Sequence, residues 1–147
     1  MASEAADSRG FDLYNLFYKI QNRALICTSN LDDGGNETIT NGLVHGHAYS
    51  LLRIEEIIVG DEGDGVTQKI VKIRNPWAQT EWTGAWGDGT AEWEDVSDEE
   101  KERIKYEDKD DGGFWMSFKD WIDEFEMFTI CMLPRLDPDD EDVVNEE

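Results

Sequence analysis

The chain has 147 residues, enough for one domain with a buried core, and 39% of them are hydrophobic, which excludes a wholly disordered protein. Its formal net charge of −22 at pH 7 argues against nucleic acid as a partner, because the phosphates would repel it. The charge suits basic partners, or a cation such as Ca²⁺ held among carboxylates. No apolar stretch of the sequence approaches the length of a membrane-spanning helix.

The first forty residues predict a helix, a strand and a loop. Residues 1–10 are polar, lack the apolar core of a signal peptide, and are expected to be flexible. Apolar side chains recur at helical spacing from Phe11 to Ala24, which predicts an amphipathic helix. A short apolar strand follows to Thr28, and residues 30–41, rich in Asp, Gly and Asn, predict a loop.

An antiparallel hairpin is predicted next. Its strands are Ala48 to Val59 and Val66 to Ile73, and the turn between them reads G-D-E-G-D-G. His47 lies fifteen residues before Glu62 in that turn, and Asn75 lies thirteen residues after it. Allowing for one bulge, antiparallel pairing brings these two residues to the same end of the sheet.

The second half predicts a loop, two helices and a strand. Residues 78–96 form an irregular loop pinned by three tryptophans (Trp82, Trp86 and Trp93). A helix over 97–106 begins with the capping sequence S-D-E-E, and an acidic turn, 107–113, follows it. The remaining elements are a helix capped by Ser117, a strand over 127–133 and an acidic tail or linker at 136–147. The pattern indicates an α+β fold, mostly antiparallel sheet with a few flanking helices.

His47 beside Asn75 suggests acid–base chemistry. An imidazole can take and return a proton near neutral pH, provided that a partner fixes its tautomer. We expect the Asn75 carbonyl to accept the Nδ1 proton of His47, which would leave Nε2 to face a thiol, as in Cys-His-Asn nucleophile triads. The simpler alternative is a strand histidine with one satisfied hydrogen bond.

The two cysteines, Cys27 and Cys131, both lie in apolar runs. Their spacing fits neither a disulfide framework nor a zinc site, which favours a reducing, intracellular and cytoplasmic setting. We expect both thiols to be buried in strands and to have a structural role.

Four motifs together resemble calpains, the calcium-dependent cysteine proteases. They are G-H-A-Y-S around His47, I-R-N-P-W around Asn75, E-W-T-G-A-W at 81–86 and F-W-M-S-F at 114–118. The resemblance runs from about Phe11 to Leu133 and is to the second subdomain of the protease core, the one that carries the catalytic His and Asn. It implies a papain-like right-hand subdomain, here residues 11–135.

The resemblance implies a role for three residues of the active site. His47 corresponds to the general acid/base, Asn75 to the residue that orients it, and Trp77 to a ring that moves to clear the substrate cleft. His45 corresponds to a surface strand position without a catalytic role. The nucleophilic Cys and the oxyanion-hole Gln belong to the first subdomain, and no Q-x-x-x-x-C-W segment is present in this chain. The chain alone is therefore expected to be inactive, with the first subdomain as its partner and proteins as substrates.

The resemblance also implies one Ca²⁺ site. Its ligands would be Glu81, Asp88, Asp111 and the carbonyl of Lys109, a ligand set of carboxylates and carbonyls that suits Ca²⁺. Gly113 replaces a glutamate that is usual in the family, so the affinity should be reduced unless Asp108 or Asp110 substitutes. The alternative is that these acids are simply a solvated face.

Two alternatives to the protease interpretation stay open. One is a catalytically silent calpain-like subdomain used for calcium or protein binding, which the missing first-subdomain cysteine would decide. The other is an acidic calcium-buffering module unrelated to proteases, which would require the G-H-A-Y-S and R-N-P-W matches to be accidental. A structure in which His47 and Asn75 are not close would establish it.

Overall fold

A computed structural model describes residues 12–31, 39–61 and 63–134. The expectations for residues 1–10, for most of the 30–41 loop and for the tail at 136–147 lie outside these ranges. None of the helices within them has the length and apolar composition that a membrane crossing requires.

The described residues form an α+β fold, as predicted. The helices are α1 (Leu13–Ile20), α2 (Asp98–Ile104) and α3 (Phe118–Glu124), with a 3-10 helix at Ala91–Asp95. The strands are β1 (Ala24–Ser29), β2 (Ile39–Thr40), β3 (Leu43–Val44), β4 (Ala48–Val59), β5 (Val66–Arg74), β6 (Gly113–Ser117) and β7 (Met127–Met132). Five strands make one antiparallel sheet in the order β6-β5-β4-β1-β7, and β2 pairs with β3.

The predicted hairpin is confirmed as the pair β4 and β5. Val59 pairs with Val66 beside the turn, and Ser50 pairs with Arg74 at the other end. One residue of β4, Leu52, is left out of the register, so the strand has the bulge that the sequence argument allowed for. The hairpin therefore places the residue just before β4 and the residue just after β5 at the same end of the sheet.

Helix α1 is shorter than predicted. It ends at Ile20, and Ala24 is already the first residue of β1. The residues after the helix form a turn in which the Arg23 N–H donates to the Ile20 carbonyl at 2.8 Å. The Gln21 side chain fixes this turn to β4, because it accepts from the Ile54 N–H at 2.8 Å and donates to the Ile54 carbonyl at 3.2 Å.

The two predicted serine caps are present. The Ser117 hydroxyl accepts from the Asp120 N–H at 2.9 Å, and the Ser97 hydroxyl accepts from the Glu100 N–H at 3.2 Å. Only half of the S-D-E-E capping box forms, because the Glu100 carboxylate pairs with Arg103 and accepts from the Ile58 N–H instead. The carboxylate thereby joins α2 to β4.

The sheet buries one apolar cluster on each face. The cluster that includes Ile54 and Met116 packs with α1 and α3. The cluster on the opposite face, around Ile57 and Trp115, packs with α2 and two tryptophans of the 78–96 loop. The rings do pin this loop, as predicted: the Trp82 indole donates to the Ala85 carbonyl at 2.9 Å.

The expectation that both cysteines are buried is wrong, since Cys27 and Cys131 are both exposed. Side chains alternate along a strand, so an apolar run of six residues can bury only every second one. In β1 the buried residues include Ile26 and Thr28, and Cys27 points to the outer face. Cys131 lies on β7, the edge strand, opposite Leu25 on that same outer face.

Candidate active site

The structure places His47 and Asn75 in direct contact. His47 immediately precedes β4 and Asn75 immediately follows β5. The distance from His47 Nε2 to Asn75 Oδ1 is 2.9 Å, and both side chains are buried. The predicted proximity is therefore confirmed.

Asn75 is held in one orientation by all of its polar atoms. The backbone N–H of Trp77 donates to Oδ1 at 3.0 Å, and Nδ2 donates to the Thr80 carbonyl at 3.2 Å. A backbone N–H can only donate and a carbonyl can only accept, so these contacts determine which end of the amide is oxygen. The backbone N–H of Asn75 also donates to the Gly112 carbonyl at 2.7 Å. Asn75 is 0% exposed, and its polar groups are satisfied without water.

This orientation determines the tautomer of neutral His47. Because Oδ1 can only accept, Nε2 must carry the proton and donate it. The neutral ring then has its lone pair on Nδ1. Our expectation from the sequence was wrong on this point: Nε2 faces Asn75, and Nδ1 is the atom left to accept a proton. Sequence cannot decide this, because the choice depends on the angle at which the ring meets the amide.

Two aromatic rings surround the imidazole. The Trp77 ring lies 3.8 Å from His47 between centroids at an interplanar angle of 37°, and the Tyr49 ring packs edge-on at 5.2 Å. Tyr49 is buried and its hydroxyl accepts from the Val44 N–H at 2.8 Å, so it is a fixed wall. Trp77 is 50% exposed, although its ring lies against the imidazole. One wall of the site is therefore rigid and the other faces solvent.

His45 lies in a different local structure from the one expected. It is in the turn after β3, half-buried, rather than on a strand as expected. The strand prediction failed because β3 contains only Leu43–Val44, and a glycine with positive φ, Gly46, follows His45.

The tryptophan loop (residues 78–96) and the acidic turn (residues 107–113) are in contact, as the resemblance implied. Glu81 Oε1 accepts from the N–H groups of Asp111 at 3.0 Å and Gly112 at 2.7 Å. Asp88 Oδ2 accepts from the Lys109 N–H at 3.3 Å. All four proposed ligand residues thus lie at this junction. Asp111 also accepts from the Gly113 N–H at 2.9 Å through Oδ1.

The negative charge of Asp88 is poorly stabilised by its surroundings. Its Oδ1 is buried and has no hydrogen-bond partner among the described residues. Burial is the main cause that raises the pKa of Asp88 to about 7, and the neighbouring charges of Glu81 and Asp108 raise it further, against the lowering effect of the Lys109 N–H.

These residues fit a hard cation only in part. The unpartnered Asp88 oxygen and the adjacent Glu81 carboxylate suit one, and Gly113 adds no side-chain oxygen. Across residues 12–31, 39–61 and 63–134, however, no three acidic, histidine or cysteine side chains converge in a ready-made metal site. Backbone carbonyls, such as that of Lys109, would have to supply the remaining ligands.

Sequence reasoning missed two residues at the site, Thr80 and Gly112. The Thr80 carbonyl and hydroxyl accept from Asn75 Nδ2, at 3.2 and 3.3 Å. The Gly112 carbonyl accepts from the Asn75 backbone. No local pattern marks either residue, although a glycine beside an acidic turn is a signal of an unusual backbone conformation.

A buried histidine held at Nε2 by an asparagine, with no hydrogen bond to Nδ1 among the described residues, matches the His–Asn part of the Cys-His-Asn triad of thiol proteases. Comparison with known proteins agrees with this class: the family model for calpain family cysteine proteases matches residues 3–132. The chain belongs to the calpain family.

The individual relatives that match are calpains. The chain is 43% identical over 99 residues to the human calpain-2 catalytic subunit, which covers 67% of this chain and 13% of that protein. It is 36% identical over 126 residues to the calpain-1 catalytic subunit of Bos taurus (83% and 17%), and 37% identical over 128 residues to calpain-8 of Mus musculus (81% and 17%). The chain thus spans less than one fifth of the length of these relatives.

Proposed function

We propose that this chain is the His/Asn half of the catalytic core of a calcium-dependent, cytoplasmic cysteine endopeptidase. The observation that carries the proposal is the buried contact of His47 Nε2 with Asn75 Oδ1, which leaves Nδ1 as the only basic atom of the ring. The nucleophilic cysteine would come from a first subdomain outside this chain. Cys27 and Cys131 do not supply it, because both point to the outer face of the sheet, opposite the face that takes Tyr49.

The chemistry follows from the tautomer. His47 Nδ1 takes the proton from the partner thiol, and the thiolate attacks the carbonyl carbon of a peptide bond. The imidazolium is stabilised by Asn75 without a change in charge, and it returns the proton to the departing amine. Water then attacks the acyl-enzyme while His47 accepts its proton at Nδ1. The bond between the carbonyl carbon and the sulfur breaks, the acid product leaves, and the proton returns from His47 to the thiolate.

Trp77 is proposed as the gate of the substrate cleft. Its ring lies against the imidazole, and half of its surface is exposed. The ring must swing away, or pair with the first subdomain, before a substrate can reach the face of His47 that it covers. The backbone N–H of Trp77, bound to Asn75 Oδ1, would serve as the fixed end of that motion.

The test compares this chain with a complete two-subdomain core. We expect no peptide cleavage by this chain alone, and cleavage by the core. His47→Ala should lower kcat/KM of the core by about 10²–10⁴-fold, the usual contribution of general acid–base catalysis. His45→Ala is the matched control and should retain activity, since His45 lies in the turn after β3 and the hydrogen bond to Asn75 is made by His47.

Two results would contradict this proposal. Cleavage by this chain alone would mean that the nucleophile had been misplaced. A folded core that carries a cysteine nucleophile yet is inactive, with His47 and Asn75 in contact, would favour the silent binding subdomain instead.

We further propose that the junction of the tryptophan loop and the acidic turn binds Ca²⁺. Glu81, Asp88, Asp111 and the Lys109 carbonyl would hold the ion, and it would offset the charge of the Asp88 carboxylate, one oxygen of which has no hydrogen-bond partner among the described residues. The support is the orphaned Asp88 oxygen. No proton transfer of the proposed reaction passes through this junction.

Calorimetry on this chain tests the calcium site. We expect weak binding, about 10⁻⁴–10⁻³ M, because few carboxylates are available. Glu81→Ala and Asp111→Ala should each weaken it at least several-fold, and Asp64→Ala, in the hairpin turn, is the control. Identical heats in the wild type and both ligand variants would rule out this site.

A further inference from the structure

Gly112 is the point at which the acidic turn touches the backbone of Asn75. Its carbonyl accepts the Asn75 N–H at 2.7 Å, which is at the short end of the usual range for N–H···O hydrogen bonds. The residue is buried and has φ of +84°, a left-handed conformation that favours glycine.

No side chain can be added there without moving Asn75. A Cβ on Gly112 would lie 2.6 Å from the Asn75 carbonyl oxygen and 2.7 Å from Ala78 Cα. Both are backbone atoms, so neither can rotate out of the way as a flexible side chain would. The atoms displaced belong to the turn that carries the Asn75 amide and, two residues on, the Trp77 N–H that binds it.

The other side of the same residue is held by a carboxylate. Glu81 Oε1 accepts the Gly112 N–H at 2.7 Å. Glu81 is the neighbour of Thr80, whose carbonyl accepts from the Asn75 side chain. Gly112 is thereby held by Glu81 at its N–H and by Asn75 at its carbonyl, while Thr80 connects the same two segments.

We propose that Gly112 is a positioning residue for the His47–Asn75 pair, and that a displacement of the acidic turn reaches the pair through its backbone. Its consequence for proteolysis rests on the function proposed above. The positioning itself is a property of this chain and can be measured without any activity.

The experiment measures the tautomer of His47 by ¹⁵N NMR of this chain, with a chelator present and at a pH where the imidazole is neutral. His45→Gln in every sample leaves His47 as the only source of imidazole signals, since the chain has two histidines. The wild-type background should show the proton on Nε2. Gly112→Ala should lower the ratio of the Nε2–H to the Nδ1–H form by about fivefold or more, as expected for a weakened hydrogen bond.

Gly63→Ala is the matched control. Gly63 also has positive φ, +105°, but an added Cβ would meet nothing within 4 Å. It therefore reproduces the backbone strain without the contact, and its tautomer ratio should equal that of the background. An unchanged ratio in folded Gly112→Ala would overturn the proposal.

A second variant covers the case in which Gly112→Ala does not fold. Glu81→Ala releases the Gly112 N–H and adds no atom, so it should shift the tautomer ratio in the same direction by a smaller amount, about twofold. Asp110→Ala, an exposed acid of the same turn, should not shift it. If Glu81→Ala also leaves the ratio unchanged, the proposal is wrong. An inactive core with the wild-type ratio would count only against the protease function.

Discussion

The His47–Asn75 pair and the surroundings of Asp88 differ in how completely their polar atoms are hydrogen-bonded. At the His47–Asn75 pair every polar group of the asparagine has a partner, although the residue is 0% exposed. At Asp88, some thirteen residues further along the chain, a buried carboxylate oxygen has none among the described residues. The first region is organised by the fold alone, whereas the second carries an electrostatic cost that a bound cation would offset.

The largest change in stability is expected from removing the Asn75 side chain, whose polar atoms all have hydrogen-bond partners. Asn75→Ala should lower the free energy of unfolding by about 3 kcal/mol, because the Thr80 carbonyl, the Trp77 N–H and the His47 ring all lose a buried partner. Urea denaturation of this chain measures it. Asn22→Ala, at an exposed position, is the control and should change stability by no more than about 0.5 kcal/mol. A loss as small as the control's would mean that water satisfies these groups and that the contrast with Asp88 does not hold.

A smaller change, this time a gain in stability, is expected from replacing Asp88. Because burial raises its folded-state pKa from 3.8 to about 7, the folded protein binds this proton more tightly than the unfolded chain does. The stability that protonated Asp88 contributes is fully present below about pH 4 and is lost as the pH rises through about 7. Asp88→Asn cannot ionise, so with a chelator at about pH 8 it should be more stable than the wild type by about 1–2 kcal/mol, less than the full shift implies because solvent screens the partly exposed charge.

The pH dependence supplies the control for this prediction. Thermal unfolding of the wild type and Asp88→Asn should converge as the pH falls toward about 4, where the aspartate is protonated in both states. Asp110→Asn, exposed in the neighbouring turn, should follow the wild-type curve. Parallel curves for the wild type and Asp88→Asn would show that Asp88 is not an unpaired buried charge.

Local and periodic features were predicted well because their causes lie within a few residues. Ser97 and Ser117 cap helices through N–H groups three residues away. The apolar spacing of β4 and β5 determined their register, and the register brought His47 to Asn75. The exposure of Cys27 follows from the same alternation and could have been predicted from it.

Features that depend on contacts between distant segments were missed. Gln21 binds Ile54 across 33 positions of the chain, and Gly112 meets Asn75 across 37. In both cases the partner is adjacent in space but not in sequence. The 3-10 helix at Ala91–Asp95 was missed for another reason, because it is too short to carry a periodic signal.

The sequence by itself determined the family, the hairpin and the identity of the two residues that meet at its end, since motif spacing and strand alternation are properties of the chain. The tertiary structure decided which nitrogen of His47 is free and where Gly112 is needed. It also decided that Asp88 Oδ1 is a buried carboxylate oxygen without a hydrogen-bond partner among the described residues. These depend on angles and distances of a few tenths of an ångström between segments, and only packing sets them.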